Sequence, residues 1–302
     1  EKKKNIEKHN AKGRKNIINK NINKNPTLIY CGPLRDECNI IEIIEEFKKI
    51  HKKGPEISLK IVYNKIIGNQ LFTEKVDKYI NEGVDGITFK HNLNNKEINN
   101  EISKSDFAIY WCKHGWDDNE EVNPNIKALK VDPNKLIILK NKLLLNYNII
   151  NTLNKINFIE KQYLNKFLDS VLEIKLNYKS DTKLYPYVLH NSFPYDYGGY
   201  ATRSHNILKN FNKIYPDKKY FALGRLGYPY DTHSLSQLKV TSFINKIDNV
   251  FYLIFPYAKK NYNILLDLLF YSLKIKTFHV ASAFKNALPI IKYCNEKKNK
   301  ID

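Results

Sequence analysis

The stretch TLIYCGPLRDECNIIEIIEEFKKIHKK, residues 27 to 53, places a short β-type run directly before an amphipathic helical run. Residues 27–32 favour a strand and end at Gly32, whereas residues 40–53 carry apolar side chains at helical spacing. Glu45 precedes Lys49 by four residues, which supports a helix. A glycine between such runs is typical of a tight strand-to-helix turn. The stretch therefore predicts a βα unit.

The same alternation continues along the chain to about residue 140. Further β-type runs occupy residues 58–64, 86–92 and 107–112, and helical runs occupy residues 71–83 and 96–105. Four alternations of strand and helix favour right-handed βαβ units on a parallel sheet. We therefore expect residues 25–140 to form one α/β domain, preceded by a basic linker over residues 1–24.

A long helical run without Gly or Pro follows, and then the alternation resumes. We interpret residues 141–182 as a helical connector and residues 183–302 as a second, incomplete α/β domain. Its β-type runs are 185–192, 218–224, 249–256 and 276–282, and its helical runs are 200–214, 260–274 and 283–298. The predicted fold class is α/β, with two Rossmann-like parallel-sheet domains. Neither carries the GxGxxG fingerprint, so nicotinamide chemistry is not indicated.

The charge of the chain is strongly basic but dispersed. Its 302 residues include 50 Lys and Arg against 31 Asp and Glu, a formal net charge of +19. Such a charge is typical of proteins that bind nucleic acid or anionic membranes, with steeply salt-dependent affinity. Here the lysines are spread among Asn and Ile residues, and only in residues 1–24 are basic residues concentrated. We expect no specific nucleic acid partner, and peripheral contact of residues 1–24 with an anionic membrane is the alternative to a solvated linker.

The cysteines and the hydropathy pattern indicate a cytoplasmic protein. Cys31, Cys38, Cys112 and Cys294 have no spacing typical of a zinc site or disulfide framework. No apolar run approaches the roughly 18 residues that would cross a bilayer, and no signal peptide is visible. Peripheral association with the inner membrane face stays open. Residue 1 is not Met, so we interpret the sequence as a segment of a longer chain.

Two candidate sites fall in the first predicted domain. Gly32 and Arg35 lie between the first strand and its helix, where a guanidinium and backbone N–H groups could hold an anion. A surface arginine on an ordinary loop is the alternative. After the fourth strand the acidic residues could bind ribose or sugar hydroxyls, or simply form a solvated loop; they are Asp117, Asp118, Glu120 and Glu121.

Two more candidates fall in the second predicted domain. HNSFPYDYGGYATRSHNIL, residues 190 to 208, sets Gly198 and Gly199 before a helix whose first turn carries Arg203. The glycines permit close approach of a ligand, and the helix start with Arg203 favours negative charge. His279 follows at the carboxyl end of a later strand, where it could act as a general base or as a structural residue.

Several segments together resemble the retaining, GT-B-fold glycosyltransferases of family 4, also called glycosyl transferases group 1. Residues 27–130 look like the nucleotide-sugar-binding, C-terminal domain of that family, through TLIYCGPLRDECNIIEIIEEF, SLKIVYNKI and DFAIYW. Residues 185–298 look like its acceptor-binding, N-terminal domain, through YVLHNSFPYDYGGYATRSHNILKNF, ALGRLGYPYD and KTFHVASAFKNALPIIKY. The order is reversed relative to the family, as in a circular permutation or a tandem protein. We favour a window on a tandem protein.

The resemblance implies a function and assigns roles to the candidates. It implies transfer of a sugar from a nucleotide-sugar donor to a glycan or lipid-linked acceptor, with retention, without a metal and without a further cofactor. Donor phosphate and nucleotide binding falls to Gly32, Arg35, Glu120 and Glu121. The Gly-rich loop and acceptor side comprise Gly198, Gly199 and Arg203, and the catalytic residue is His279.

The resemblance fails at two positions that matter for the donor. The family usually has a Lys where Cys38 stands, to hold the diphosphate, and a ribose-binding Glu where Ala128 stands. Each loss would weaken donor binding by about 1–3 kcal/mol. We therefore interpret residues 25–140 as a degenerate donor domain. A non-catalytic nucleotide- or glycan-binding scaffold is the alternative function.

Overall fold

The structure, a computed structural model, describes residues 25–111, 136–156, 159, 161–232, 242–256, 262–281 and 287–298. In its first half, strands and helices alternate as the sequence predicts. The elements are β1 (Thr27–Cys31), β2 (Leu34–Arg35), α1 (Ile40–Lys53), β3 (Ser58–Tyr63), β4 (Ile66–Ile67), α2 (Gln70–Glu82), β5 (Ile87–His91), α3 (Asn95–Ser103), β6 (Phe107–Ile109) and β7 (Ile137–Leu139). The two-residue strands β2 and β4 pair with each other.

The first sheet is parallel throughout and has the strand order β5-β3-β1-β6-β7. β1 lies in the middle, with later strands added first on one side and then on the other. The reversal between β1 and β6 makes a topological switch point, and in open α/β sheets ligands bind in a crevice outside the carboxyl ends of the strands at such a point. The prediction of an α/β protein with a Rossmann-like parallel sheet is confirmed, and β7 is a fifth strand that the sequence analysis did not predict.

The segment between the sheets contains two helices, α4 (Tyr147–Asn154) and α5 (Lys161–Leu176). α5 is fastened to the edge of the first sheet by the side-chain amide of Asn165. That amide donates to the backbone O of Leu136 at 3.0 Å and accepts from the backbone N of Ile138 at 2.9 Å. Because the amide satisfies two backbone groups of the edge strand, it holds the helix in register with β7.

The second half contains another mostly parallel sheet. Its elements are β8 (Lys183–Leu189), α6 (Gly199–Ile214), β9 (Lys218–Gly224), β10 (Ile244–Ile247), β11 (Val250–Leu253), α7 (Tyr262–Leu273), β12 (His279–Val280) and α8 (Ala287–Lys298). The strand order is β10-β11-β9-β8-β12, and only β10 is antiparallel to its neighbour. β10 was not predicted. β8, the first strand of this sheet, also lies at a switch point, which falls between β8 and β12.

Side chains of both sheets contribute to the largest hydrophobic core. It includes Leu28 and Phe107 from the first sheet, Phe167 from α5, and Phe221 and Leu253 from the second sheet. Smaller clusters cover the opposite faces. In them α3 packs Ile102 against the first sheet and α6 packs Leu208 against the second. Burial on both faces explains why the strands read as continuous apolar runs.

Candidate functional site

The loop after β1 is held over the carboxyl edge of the first sheet by backbone hydrogen bonds. Gly32 has φ +148°, a backbone conformation that favours glycine, and its N–H donates to the O of Val62 at 2.9 Å. The N–H of Leu34 donates to the O of Lys65 at 2.9 Å, and Tyr30 Oη donates to the O of Pro33 at 2.8 Å. These bonds therefore fix the loop after β1 to the end of β3 and to the residues that follow it.

Two buried hydrogen-bond donors in this loop have no partner among the described residues. They are Arg35 Nε and Asn39 Nδ2. Asn39 is only 5% exposed and takes a left-handed conformation (φ 52°) as the residue before α1, but its side chain does not cap the helix. Arg35 is half-buried in β2. The sequence placed Arg35 here, and the structure adds Asn39 beside the start of the same helix.

Unpartnered buried donors next to a helix N-terminus favour an acceptor-rich ligand. A donor buried without a partner costs on the order of 1–3 kcal/mol, which a bound oxygen atom would recover. The helix N-terminus and the guanidinium both favour negative charge. In open α/β sheets ligands bind at the switch point, which is where this loop lies. Because Asp36 and Glu37 add negative charge to the same turn, the observed donors indicate a ligand with hydrogen-bond acceptors, of which a phosphate oxygen is one.

Cys31 does not add a nucleophile in this region. Burial, reinforced by the charge of Glu101, raises the pKa of Cys31 to about 12, so its thiol stays protonated. Cys38, where the family resemblance expects a Lys, is half-buried in the turn before α1. The predicted acidic residues Glu120 and Glu121, like Ala128, lie outside the described residues.

The loop after β8 has the opposite hydrogen-bonding character. The carboxylate of Asp196 accepts from the N–H of Gly198 at 2.6 Å and from Nδ2 of Asn191. Oδ1 of Asn191 is buried and has no partner among the described residues. Gly198 is the N-cap residue of α6, and a Cβ on Gly199 would meet open space. The Asp196 carboxylate thus already lies at the helix start, and the loop presents acceptors rather than donors.

The conformation of this second loop depends on one buried tyrosine. Tyr228, which is 1% exposed, donates from Oη to the O of Ser192 at 2.7 Å and accepts from the N–H of Ser192 at 3.0 Å. Tyr228 belongs to the turn after β9, where buried Arg225 forms an ion pair with Asp231. The turns that follow two adjacent strands therefore support each other at the carboxyl edge.

The structure does not bring Arg203 and His279 into contact with this loop. Arg203 is exposed on α6 and makes no hydrogen bond or ion pair with any described residue. The ring of His279 lies among Tyr185, Tyr187 and Tyr220, at centroid distances of 5.8, 6.3 and 5.5 Å. His279 pairs with Tyr187, two residues before the end of β8, and burial lowers the pKa of its imidazole. At neutral pH the ring is uncharged and packs among aromatic rings on the sheet.

Sequence reasoning missed four of the residues that shape these loops, namely Asn39, Asn191, Asp196 and Tyr228. One signal was available, because Asp196 two residues before Gly198 is typical of an Asx turn. The other three act through burial and contacts with residues distant in sequence, such as the 36 positions that separate Tyr228 from Ser192. Such contacts leave no local pattern.

Neither a scan against protein-family models nor a search of curated proteins found a match. Within the described ranges, no helix is long and apolar enough to cross a membrane. In the same parts of the chain no three His, Cys, Asp or Glu side chains cluster as metal ligands would.

Proposed function

We propose that this chain binds a nucleotide-sugar and takes part in transferring its sugar to a glycan or lipid-linked acceptor, as part of a GT-B-type glycosyltransferase. One observation carries the proposal: each of the two sheets has its first strand at a switch point, and the loops that follow these two strands differ in what they present, donors in one and acceptors in the other. The β1 loop offers unpartnered donors, whereas the β8 loop offers acceptors. A nucleotide-sugar and its acceptor need both kinds of group. The phosphate oxygens of the donor require hydrogen-bond donors, and the sugar hydroxyls can donate to hydrogen-bond acceptors.

In this proposal the β1 loop holds the diphosphate of the donor. Arg35 Nε and Asn39 Nδ2 donate to phosphate oxygens, and the N-terminus of α1 faces the same charge. As the bond to the sugar breaks, positive charge develops on the sugar and negative charge on the departing diphosphate. Fixed donors at the diphosphate stabilise that separation without a metal.

The β8 loop then serves the hydroxyl groups. Asp196 is half-buried and still has lone pairs beyond those that bind Gly198 and Asn191, and Asn191 Oδ1 is unused among the described residues. Sugar hydroxyls donate to such oxygens. Gly199 leaves open space where a side chain would otherwise stand, so a sugar ring can approach the helix start. The proposal assigns no role to His279, whose ring packs among Tyr185, Tyr187 and Tyr220.

A non-catalytic scaffold is the second candidate, and Cys38 is the observation that favours it. A half-buried thiol stands where the family resemblance expects a charged diphosphate ligand. Such a scaffold would bind the nucleotide-sugar through Arg35 and Asn39 but release no nucleotide. Release of nucleotide therefore distinguishes the transferase from the scaffold. Binding of the nucleotide-sugar tests the site that both candidates share.

Isothermal titration of the chain with UDP- and GDP-sugars tests the proposal. We expect the preferred nucleotide-sugar to bind, and Arg35→Ala to weaken binding by about tenfold or more because a charge-assisted bond is lost. Asn39→Leu, which keeps the size but removes the donor, should weaken it by several-fold. Lys53→Ala at the far end of α1 is the matched control: it removes an exposed cation from the same helix and should leave affinity unchanged.

Nucleotide release, measured with the same sugars, distinguishes a transferase from a scaffold. Binding with release supports transfer or hydrolysis, and binding without release supports the scaffold. If no nucleotide-sugar binds at millimolar concentration, or if the Arg35 and Asn39 variants bind as well as the Lys53 control, the proposed site is wrong.

A further inference from the structure

A small cavity lies at the amino-terminal edge of the second sheet, at the other end of β8 from the Gly-rich loop. Its volume is about 210 Å³. It opens between the turn that leads from α5 into β8 and the turn that follows α7. The lining residues are Lys175, Ser180, Asp181, Thr182, Lys183, Leu184, Tyr185, Leu273, Lys274 and Lys276. Four of these side chains are lysines, and one is an aspartate.

Lys175 distinguishes this cavity from the many exposed lysines of the chain. It is only 9% exposed, and Nζ donates to the backbone O of Ser180 at 3.3 Å. Among the described residues no carboxylate lies within ion-pair distance of this ammonium group. Burial lowers the pKa of Lys175, the nearby Lys274 lowers it further, and Asp181 opposes both effects. A buried ammonium without a counter-ion is costly, because buried charges are ordinarily paired.

Three further lysines surround the opening, and all three are exposed. Lys183 begins β8, whereas Lys274 and Lys276 follow α7. Asp181 is exposed as well, so it is largely solvated and cannot neutralise the set. The cavity therefore concentrates positive charge around a buried cation that has no carboxylate counter-ion among the described residues.

We propose that this cavity binds the phosphate or diphosphate group of a small soluble molecule, with Lys175 at its floor and Lys183, Lys274 and Lys276 around the anion. The volume lies below the roughly 300–1,000 Å³ of pockets that hold drug-sized ligands, so a phosphate-sized group fits better than a large one. A flat membrane surface meets the exposed lysines but does not reach a side chain that is nine-tenths buried. The ligand is therefore a soluble phosphate compound.

This site is separate from the one proposed for the nucleotide-sugar. The strands around it are parallel, so the amino-terminal edge and the switch-point crevice lie at opposite ends of β8. Occupancy of the cavity neutralises repulsion between Lys175 and Lys274 and ties the start of β8 to the end of α7. The inference does not depend on the proposed transferase function.

The test is a titration of the chain with inorganic pyrophosphate, followed by calorimetry. Arg35→Ala is present in every variant, so that pyrophosphate at the β1 loop does not contribute. We expect saturable binding that Lys175→Met weakens by about tenfold or more, since it removes the buried cation but keeps the length of the side chain. Lys166→Met is the matched control, because Lys166 is an exposed lysine on the same helix; its affinity should stay within about twofold.

A second pair of variants avoids any change in the core. Lys183→Gln with Lys276→Gln removes two exposed charges and should weaken pyrophosphate binding several-fold, whereas Lys166→Gln with Lys213→Gln should not. If the chain that carries Arg35→Ala alone and the chain that also carries Lys175→Met bind pyrophosphate alike, or if both double variants lose the same affinity, general charge explains the binding and the site is wrong. Binding to phosphatidic acid vesicles without binding to pyrophosphate also overturns it.

Discussion

The two sheets have the same strand order around their switch points but carry loops that suit different ligands. After β1, Arg35 and Asn39 leave buried donors unpartnered; after β8, Asp196 and Asn191 supply acceptors. The difference teaches that the topology fixes where a loop lies, whereas a few side chains in the loop decide what it can bind. A binding function must therefore be inferred from those side chains and not from the sheet.

The two sheets also differ in how a helix is held against them. In the first, Glu101 of α3 forms ion pairs with Lys60 of β3 at 3.0 Å and Lys90 of β5 at 2.7 Å. In the second, the buried His205 of α6 lies with Nδ1 2.6 Å from Tyr252 Oη of β11. The first contact joins charged side chains, whereas the second joins two rings and lies next to a carboxylate, since Asp248 Oδ2 is 3.4 Å from Nε2 of His205.

The largest expected loss of stability comes from a substitution that disrupts only the loop after β8. Tyr228→Phe leaves the N–H and the O of Ser192 without their buried partner. Because each buried group without a partner costs on the order of 1–3 kcal/mol, we expect the free energy of unfolding to fall by about 2–4 kcal/mol. Urea denaturation followed by circular dichroism measures the change.

Tyr262→Phe is the matched control for that experiment. Tyr262 is also a buried tyrosine, on α7, and its hydroxyl makes no hydrogen bond with a described residue. We expect its loss to change the free energy of unfolding by less than about 0.5 kcal/mol. Equal effects of the two variants would show that Tyr228 stabilises the protein by packing and not by holding Ser192.

The sequence predicted most of the secondary structure, because strand and helix patterns are local. The βα unit at residues 27–53 and the Gly-rich turn at residues 198–199 both lie where their patterns place them. Four strands were not predicted. β2 and β4 have only two residues each, β7 has three and follows a stretch outside the described residues, and β10 is an antiparallel addition to a parallel sheet.

The candidate sites were less predictable than the fold, and the reason is physical. Gly32 and Arg35 are local to a turn, so their place at the carboxyl edge followed from the βα pattern. His279 shows the limit: its strand was predicted, but its aromatic neighbours lie on β8 and β9, and only the packed sheet brings them together. The unpartnered atoms of Asn39 and Asn191 depend on burial, which no short pattern encodes.

A second prediction concerns the ion pairs that Glu101 of α3 forms with the first sheet. Hydrogen bonding by Lys90, together with Lys60, holds the pKa of Glu101 below its usual value in spite of burial. The carboxyl of Glu101 therefore loses its proton more readily in the folded state than in the unfolded state. Its contribution to the free energy of unfolding is complete above the unfolded pKa of about 4.5 and is lost as the pH falls through the lower folded pKa. Glu101→Gln should lower the free energy of unfolding at pH 7 by about 1–3 kcal/mol.

The pH dependence separates this effect from a loss of packing. The difference between wild type and Glu101→Gln should shrink as the pH falls below about 4.5, because wild type then loses the same charge. Glu82→Gln is the control: its ion pair with Lys78 is exposed and 3.9 Å long, so we expect less than about 0.5 kcal/mol. A difference that stays constant down to pH 3 would mean that charge is not what holds α3.

The smallest expected effect tests why the second loop has two adjacent glycines. A Cβ at Gly199 meets open space, so Gly199→Ala should raise the free energy of unfolding by about 0.4–1 kcal/mol through reduced freedom of the unfolded chain. A Cβ at Gly198 would lie 3.0 Å from Oδ1 of Asp196, the atom that accepts from the Gly198 N–H. Gly198→Ala should therefore gain less than Gly199→Ala or lose stability, and thermal unfolding of the two variants measures the order. If Gly199→Ala is stable but weakens binding of a hydroxyl-bearing ligand, the glycine is present for the approach of that ligand and not for the turn. If binding is unchanged, Gly199 does not contribute to the binding of hydroxyl groups by this loop.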